Sequence, residues 1–186
     1  WTAVPFDTKT ATQASNLNKV MWRPDGAFDG ADWVCSGAYV ELGGKQWLIG
    51  FDQQPSNFSA FAADVTDLES GHSLAVGLDD PIFVQTPVVR FYNPVIVNKG
   101  ADVYLAFTEQ TGVSGDKAKE PNKLHFALLE VVGDALTVTH KPAMTVLTDF
   151  TPNDPQNLGE APALAKASAG GTEYLFVGNK STVTVI

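Results

Sequence analysis

The chain has 186 residues, of which 44% are hydrophobic and 18% charged, and its formal net charge is −9 at pH 7. This length and composition predict a globular protein with a sizeable core, forming one domain or a piece of a larger one. The twelve Lys and Arg residues are scattered, whereas nucleic acids and anionic membrane surfaces attract clustered positive charge, so neither is expected as a partner. No apolar run approaches the roughly 18–20 residues of a membrane span.

The chain begins at Trp1 without Met, which suggests a processed mature end or a trimmed chain. Two Asn-x-Ser triplets, at Asn57 and Asn179, are compatible with secretion, and we expect an extracellular or periplasmic location. The single cysteine, Cys35, excludes an internal disulfide and is expected to behave as a small buried apolar residue.

Residues 1–30 have weak periodicity and many turn formers, so we predict an extended arm with irregular structure and one or two strands. Within this arm, Arg23-Pro24-Asp25-Gly26 predicts a turn, because Pro presets φ and Gly accepts a positive φ. From residue 31 to 186, β-rich segments alternate with turns, which predicts an all-β domain. The predicted strands are 37–42, 46–51, 59–65, 94–98, 103–108, 124–131, 136–140, 163–166, 173–178 and 182–186. No window carries a capped apolar stripe of helical period.

Three segments repeat one pattern, namely a strand, a tight Gly-containing turn and an aromatic-rich second strand. They begin near residues 36, 93 and 160, and this spacing of roughly 60–70 residues is compatible with β-propeller blades that carry long loops. The middle segment predicts a complete blade of four antiparallel strands, with a turn at Gly133-Asp134. The third segment ends before a blade is finished. The pattern therefore predicts an incomplete ring that a second chain or a homo-oligomer completes, a fragment of a larger ring, or a different arrangement of sheets.

The residues that open the three segments form short motifs. These motifs are Asp32-Trp33-Val34-Cys35-Ser36-Gly37-Ala38, Arg90-Phe91-Tyr92-Asn93-Pro94 and Asn153-Asp154-Pro155-Gln156-Asn157-Leu158-Gly159-Glu160-Ala161-Pro162. Over about residues 32–186 they resemble, in order and approximate spacing, the blade-opening motifs of the five-bladed β-propeller furanosidases, the levansucrase and invertase group. That family has a Trp-Ser-Gly, an Arg-Asp-Pro and a Glu-Cys-Pro or Glu-Arg-Pro segment. The Asn-Asp before Glu160 fits the levansucrase-type branch best.

The resemblance implies a fructan- or sucrose-processing glycoside hydrolase or fructosyltransferase in which Glu160 is the general acid that protonates the leaving oxygen. Asn93 stands where the family has the Asp that stabilises the transition state. An amide can hydrogen-bond a diol, but it carries no charge to offset an oxocarbenium ion. The substrate-binding residues implied by the resemblance are Trp33, Ser36, Arg90 and Tyr92, and the expected partner is a sugar or oligosaccharide.

Two family features have no clear counterpart. Ala161 replaces the family's Arg after the acid. For the nucleophile, Asp7 and Asp25 are better candidates than Asp29 and Asp32, but each of these aspartates also fits a turn. Two alternatives therefore stay open, namely a non-catalytic, lectin-like sugar-binding protein on the same scaffold and an all-β interaction domain.

No cofactor is predicted. His72, His125 and His140 lie in separate elements without metal-ligand spacing, so each is expected to be solvated or hydrogen-bonded. Asp79-Asp80 and the pair Asp149 and Asp154 could supply oxygen ligands to a structural calcium ion, although no EF-type loop spacing accompanies them.

Overall fold

A computed structural model describes the backbone of residues 2–3, 6–7, 12–13, 20–21, 23–26, 34–52, 60–66, 72–78, 89–111, 123–145, 163–179 and 182–186. All regular secondary structure in these ranges is β-strand, so the predicted all-β class is confirmed. Across the same ranges there is no helix long and apolar enough to cross a membrane.

The strands before residue 26 are short. Strands β1 (Thr2–Ala3) and β4 (Val20–Met21) form one antiparallel pair, and β2 (Phe6–Asp7) and β3 (Thr12–Gln13) form another. Strand β5 (Arg23–Gly26) pairs in parallel with β9 (His72–Gly77). The turn predicted at Arg23–Gly26 is therefore wrong. Pro24 is tolerated because β5 is an edge strand, where a missing N–H donor need not break a ladder.

Three larger sheets follow one another along the chain. The first sheet contains β5, β6 (Val34–Leu42), β7 (Lys45–Asp52), β8 (Ala60–Asp64) and β9, in the spatial order β5-β9-β8-β7-β6. The second sheet is the predicted meander of β10 (Val89–Lys99), β11 (Asp102–Thr111), β12 (Lys123–Val132) and β13 (Ala135–Thr145). The third sheet contains β14 (Ala163–Ala169), β15 (Thr172–Asn179) and β16 (Thr182–Val185). None of these sheets closes on itself in the described ranges.

The opening hairpins of the three sheets have the same register. Each has a two-residue turn, at Gly43-Gly44, Gly100-Ala101 and Gly170-Gly171, and the first Gly of each turn has a positive φ. Two-residue turns of this kind match the twist of the strands that they join. Counted outward from the turn, Trp47, Tyr104 and Tyr174 are equivalent, and so are Leu48, Leu105 and Leu175. We name the two sides of each sheet the aromatic face and the leucine face after these two rows.

The sheets stack through these faces. Residues on the aromatic face of the first sheet, including Ile49 and Phe51, form one core with Leu105 and Phe107 on the leucine face of the second. The aromatic face of the second sheet packs in turn against the leucine face of the third, through Ala106, Leu124, Phe126, Leu164, Leu175 and Val177. Because the second sheet is covered on both sides, strand β11 has a continuous apolar run rather than an alternating one.

The first strand of the second opening hairpin, β10, lies beside the first strands of the other two opening hairpins, β6 and β14. At their ends, the turn after β6 approaches Val131 near the end of β12, and the Asn98 N–H near the end of β10 donates to Glu173, which pairs with Ser168 near the end of β14. The three first strands therefore run in the same direction and begin at the same end of the stack. We call this the entry end, and the opposite end the hairpin end.

Candidate functional site

The first feature of the entry end is a bulge in β10. The β10–β11 register shifts between Tyr92 and Val95, and Asn93 within this bulge has a φ of 54°. Asn93 is the one non-Gly residue with positive φ in the described ranges. Asn tolerates the left-handed conformation better than most residues. Bulges are common next to active sites because they redirect a side chain, so the bulge marks Asn93 as a candidate functional residue.

The bulge is fixed from the neighbouring strand. Thr108 on β11, which is fully buried, donates a hydrogen bond from its Oγ1 to the Tyr92 carbonyl oxygen at 3.3 Å. Pro94, directly after Asn93, is buried. The hydrogen bond to Tyr92 and the fixed φ of the buried Pro94 restrict the backbone on either side of Asn93.

The second feature is a buried polar pair on the leucine face of the second sheet. Glu109 and His125 are 8% and 5% exposed, and Glu109 Oε2 lies 2.5 Å from His125 Nε2. Lys123 Nζ lies 3.7 Å from the other carboxylate oxygen. The register explains the contact, because Glu109 pairs with Lys123, and His125 pairs with Phe107 one step along the same face.

Aromatic rings enclose this pair. The His125 ring stacks on Phe107 with a centroid distance of 5.2 Å, and Phe91 meets it edge-on at 6.1 Å. Phe51 of the first sheet contacts both phenylalanines, with centroids 5.9 Å from Phe91 and 5.1 Å from Phe107. The pair therefore lies in the apolar layer between the first two sheets, where an unpaired charge would be unfavourable.

The electrostatics of Glu109 follow from these contacts. Burial by itself would raise the pKa of the Glu109 carboxyl, but the hydrogen bond from His125 and the attraction of His125 and Lys123 outweigh it. The pKa therefore lies below its ordinary value of 4.5. A general acid needs a raised pKa, so Glu109 is unsuited to that role. It is suited to holding the His125 ring in one orientation.

His125 keeps one unsatisfied atom. With Nε2 donating to Glu109, the other ring nitrogen, Nδ1, is buried without a hydrogen-bond partner. The His140 ring lies 5.7 Å away, centroid to centroid. Such an atom is rare in a folded protein and destabilises it by about 1–3 kcal/mol.

The structure describes some of the sequence-predicted site residues. Asn93 and Tyr92 lie on β10 at the bulge, and the backbone of Arg90 lies on the same strand, paired with Gln110. The backbone of Ser36 lies on β6, paired with Phe51, whose ring contacts Phe91. Ser36 and the stretch from Arg90 to Asn93 thus belong to adjacent strands at the entry end. Trp33 and Glu160 lie outside the described residues, as do the acidic residues considered for calcium.

Sequence reasoning missed Glu109 as a site residue and expected only that His125 is solvated or hydrogen-bonded. The signal was present in the alternation. Glu109 continues the inward series of Leu105 and Phe107, and His125 precedes Ala127 and Leu129 on the same face. A carboxylate and a histidine at inward positions of adjacent strands predict a buried pair.

Other candidate sites are few in the described ranges. They contain no group of three or more His, Cys, Asp and Glu side chains that could hold a metal ion. A shallow cleft of about 370 Å³ lies at the hairpin end, between the turn at Gly43-Gly44 and Thr66. It is at the opposite end of the stack from Asn93.

Comparison with known proteins gives no assignment: no protein-family model, curated protein or solved structure matches the chain.

Proposed function

We propose that this chain is a carbohydrate-active protein whose sugar site lies at the entry end, on a propeller-type arrangement of the three stacked sheets. The observation that carries the proposal is the bulge at Asn93. It holds a polar residue in a left-handed conformation at the fifth position of β10 (Val89–Lys99), in the half of the strand nearer the entry end. In the furanosidases that the sequence resembles, the site is formed by the residues that open each blade.

The described contacts support a rigid site. Tyr92 and Asn93 lie on β10. On the neighbouring strand β11, Thr108 is fully buried and donates a hydrogen bond to the Tyr92 carbonyl oxygen. On the same strand, Phe91 packs edge-on against the His125 ring. A sugar site needs fixed hydrogen-bonding groups and an aromatic surface. Asn93 supplies an amide that both donates and accepts, and Tyr92 supplies an aromatic ring with a hydroxyl.

In the catalytic form of the proposal, Glu160 is the general acid that protonates the leaving oxygen of the glycosidic bond. Trp33, Ser36 and Arg90 contribute to substrate binding. A retaining mechanism also needs a second carboxylate as nucleophile. The sequence candidates for that role are Asp7 and Asp25, of which Asp25 lies on β5, at the edge of the first sheet opposite β6.

A lectin-like function is the second candidate, and Asn93 favours it. An amide at this position can bind vicinal hydroxyls, but it cannot stabilise the positive charge of an oxocarbenium-like transition state as a carboxylate would. On this alternative the same residues bind the sugar without cleaving it. Both forms suit the expected extracellular or periplasmic location.

The test combines turnover and binding. The chain is incubated with sucrose and other furanosides, released monosaccharide is measured, and the same sugars are titrated calorimetrically. For an enzyme, Glu160→Gln abolishes release while binding remains. Asn93→Asp tests the bulge, because Asp also tolerates the left-handed conformation. It should raise turnover roughly 10-fold or more if the missing charge limits catalysis.

The controls use a distant residue. Glu130→Gln changes an exposed carboxylate near the hairpin end and should alter neither release nor binding. Binding without turnover, weakened by Asn93→Ala but not by Glu130→Gln, supports the lectin-like form. Absence of both turnover and binding heat across the sugar panel would exclude the carbohydrate proposal and leave the all-β interaction domain.

A further inference from the structure

The bulge on β10 stands opposite a single aromatic residue. The β10–β11 register leaves two residues of β10, Asn93 and Pro94, facing one residue of β11, Phe107. Such a bulge bends its strand and redirects side chains. Phe91, two positions before Asn93, meets the Phe107 ring edge to face with a centroid distance of 5.5 Å. The backbone at Asn93 is therefore bracketed by two rings, one before it on the same strand and one opposite it.

Both of these rings pack on His125. Its imidazole ring is stacked on Phe107 with an interplanar angle of 14°, and it meets Phe91 at 87°. All three side chains are at most 5% exposed, so none of them can turn without displacing the others in a closely packed layer. The orientation of the His125 ring thus determines where the two phenylalanines, and with them the bulge, can lie.

Glu109 fixes that orientation. It pairs directly with Phe91 across the β10–β11 ladder, and on its other side its Oε2 lies 2.5 Å from His125 Nε2. Hydrogen bonds prefer a nearly linear donor geometry, so this contact fixes the plane of the imidazole ring as apolar packing alone would not. The pair therefore couples β10, β11 and β12 in the part of the second sheet that holds Asn93.

Stability alone does not account for this pair. Apolar side chains of similar volume often stabilise a protein as well as a buried ion pair does, and here Nδ1 of His125 is buried without a hydrogen-bond partner. Such unsatisfied atoms are rare in native proteins. What the pair provides, and an apolar filling of the same space does not, is a fixed ring orientation beside the bulge.

We propose that Glu109 and His125 are positioning residues for the ligand site at Asn93. Their hydrogen bond fixes the His125 ring, and the ring fixes the two phenylalanines that bracket the bulge. Both residues are nearly enclosed, so they act on a ligand through the backbone of Asn93 and not by contact. The inference rests on the proposed sugar site for the identity of the ligand, whereas the conformation of Asn93 can be measured without one.

The test is the double substitution Glu109→Leu with His125→Phe. It keeps apolar side chains in the layer, removes the buried hydrogen bond, and leaves Lys123, whose side chain is 35% exposed, hydrated. NMR couplings that report φ should show that Asn93 loses its left-handed conformation in part of the molecules. Calorimetric titration with sucrose should give a dissociation constant about tenfold higher, equivalent to roughly one hydrogen bond to the ligand.

Two further variants separate positioning from stability. Glu109→Gln keeps an oxygen that accepts from His125 Nε2, so it should keep the Asn93 couplings and the sucrose affinity of the wild type although it lowers stability. Leu129→Val, in the same apolar layer, lowers stability without removing the pair and should leave both readouts unchanged. A merely structural role would instead make both readouts follow the stability of each variant, as measured by denaturant unfolding.

Circular dichroism verifies that each variant folds. If the double variant does not, Phe107→Leu removes the stacked ring while the pair remains, and it should alter the Asn93 couplings. Wild-type Asn93 couplings in the folded double variant, or in folded Phe107→Leu, would overturn the proposal. Altered couplings in a protein that binds none of the furanosides would support the positioning role and would exclude the sugar site alone.

Discussion

Asn93 and Glu109 are polar residues held in special environments by the second sheet. Asn93 has a left-handed backbone at a bulge, and Glu109 is paired with His125 inside an aromatic layer. The two residues differ in what they can do. Asn93 is partly accessible and can contact a ligand. Glu109 is nearly enclosed, and its role is to hold the His125 ring in one orientation.

The Glu109–His125 pair predicts a pH-dependent contribution to stability. Because the pKa of Glu109 is lowered in the folded protein, its ionised form stabilises the fold at pH values above about 4.5, and this contribution is lost as the pH falls through the folded-state pKa. Glu109→Gln should therefore lower the free energy of unfolding by about 1.5–3 kcal/mol at pH 7. The difference from wild type should shrink below pH 4.

Denaturant unfolding at pH 7, 5, 4 and 3 measures this difference. Glu130→Gln is the control, because Glu130 is exposed on the same strand as His125, and it should change stability by less than about 0.5 kcal/mol at each pH. If Glu109→Gln lowers the free energy of unfolding by the same amount at every pH from 7 to 3, that result would contradict a role for the ionised carboxylate.

At the scale of the strand pairs, the Gly-containing hairpin turns fix the register of the repeat. Gly43 and Gly133 have nearly the same backbone, with φ of 63° and 62°, but their surroundings differ. A Cβ at Gly43 would lie 2.9 Å from the Val131 side chain, whereas a Cβ at Gly133 would meet nothing within 4 Å. Gly43 thus permits both a left-handed turn and the close approach of the first two sheets.

This contrast predicts unequal effects of the same substitution. Gly133→Ala should destabilise the protein by about 1–2 kcal/mol, because only the left-handed conformation is penalised. Gly43→Ala should lower the free energy of unfolding by about 1–3 kcal/mol more than Gly133→Ala does, because the new methyl group also displaces Val131. The measurement is denaturant unfolding of both variants. If the two variants lower the free energy of unfolding by amounts that agree within about 0.5 kcal/mol, the first sheet moves away from Val131 without an energetic penalty.

The strand pairs were the most predictable part of the fold. Gly-containing turns between alternating apolar segments identified the three opening hairpins and the four-stranded meander, because this pattern is local. The pairing of Arg23–Gly26 with His72–Gly77 was not predictable, because Pro and Gly favour a turn and only a distant strand overrides them. For the site, the sequence predicted that Asn93 opens the second segment, directly before a strand at 94–98. It did not predict that β10 begins at Val89 or that Asn93 has a left-handed backbone, because both follow from pairing across the sheet.

At the scale of the whole molecule, the second sheet is the centre of the stack. Leu105, Ala106 and Phe107 are each fully buried although they point to alternate faces, whereas β16 is an edge strand with exposed side chains. Polar contacts link the sheets at the hairpin end, where Lys45 bonds to Asp134 and Glu173 accepts from Asn98. The apolar layers and these contacts together define the packing order.

This arrangement predicts a gradient of local stability. Native-state hydrogen exchange should give the slowest amides in β11 and β12, and amides of β16 should exchange at least roughly 100-fold faster, a difference of about 2.8 kcal/mol. Amides of β6 and β7, which belong to the same packed core as the second sheet, serve as an internal comparison and should exchange more slowly than those of β16. Equal protection of β11 and β16 would mean that the whole chain opens as one unit.

The parallel pairing of β5 with β9 has a consequence for solubility. Without β5, strand β9 would be the outer strand of the first sheet and would offer its N–H and C=O groups to other chains, which promotes aggregation. Strand β5 pairs with those groups. It also contains one proline and two charged residues, Arg23-Pro24-Asp25, and both features discourage the addition of a further strand. The four residues Arg23–Gly26 thus protect the edge of the first sheet from pairing with other chains, although the other strands of that sheet lie later in the sequence.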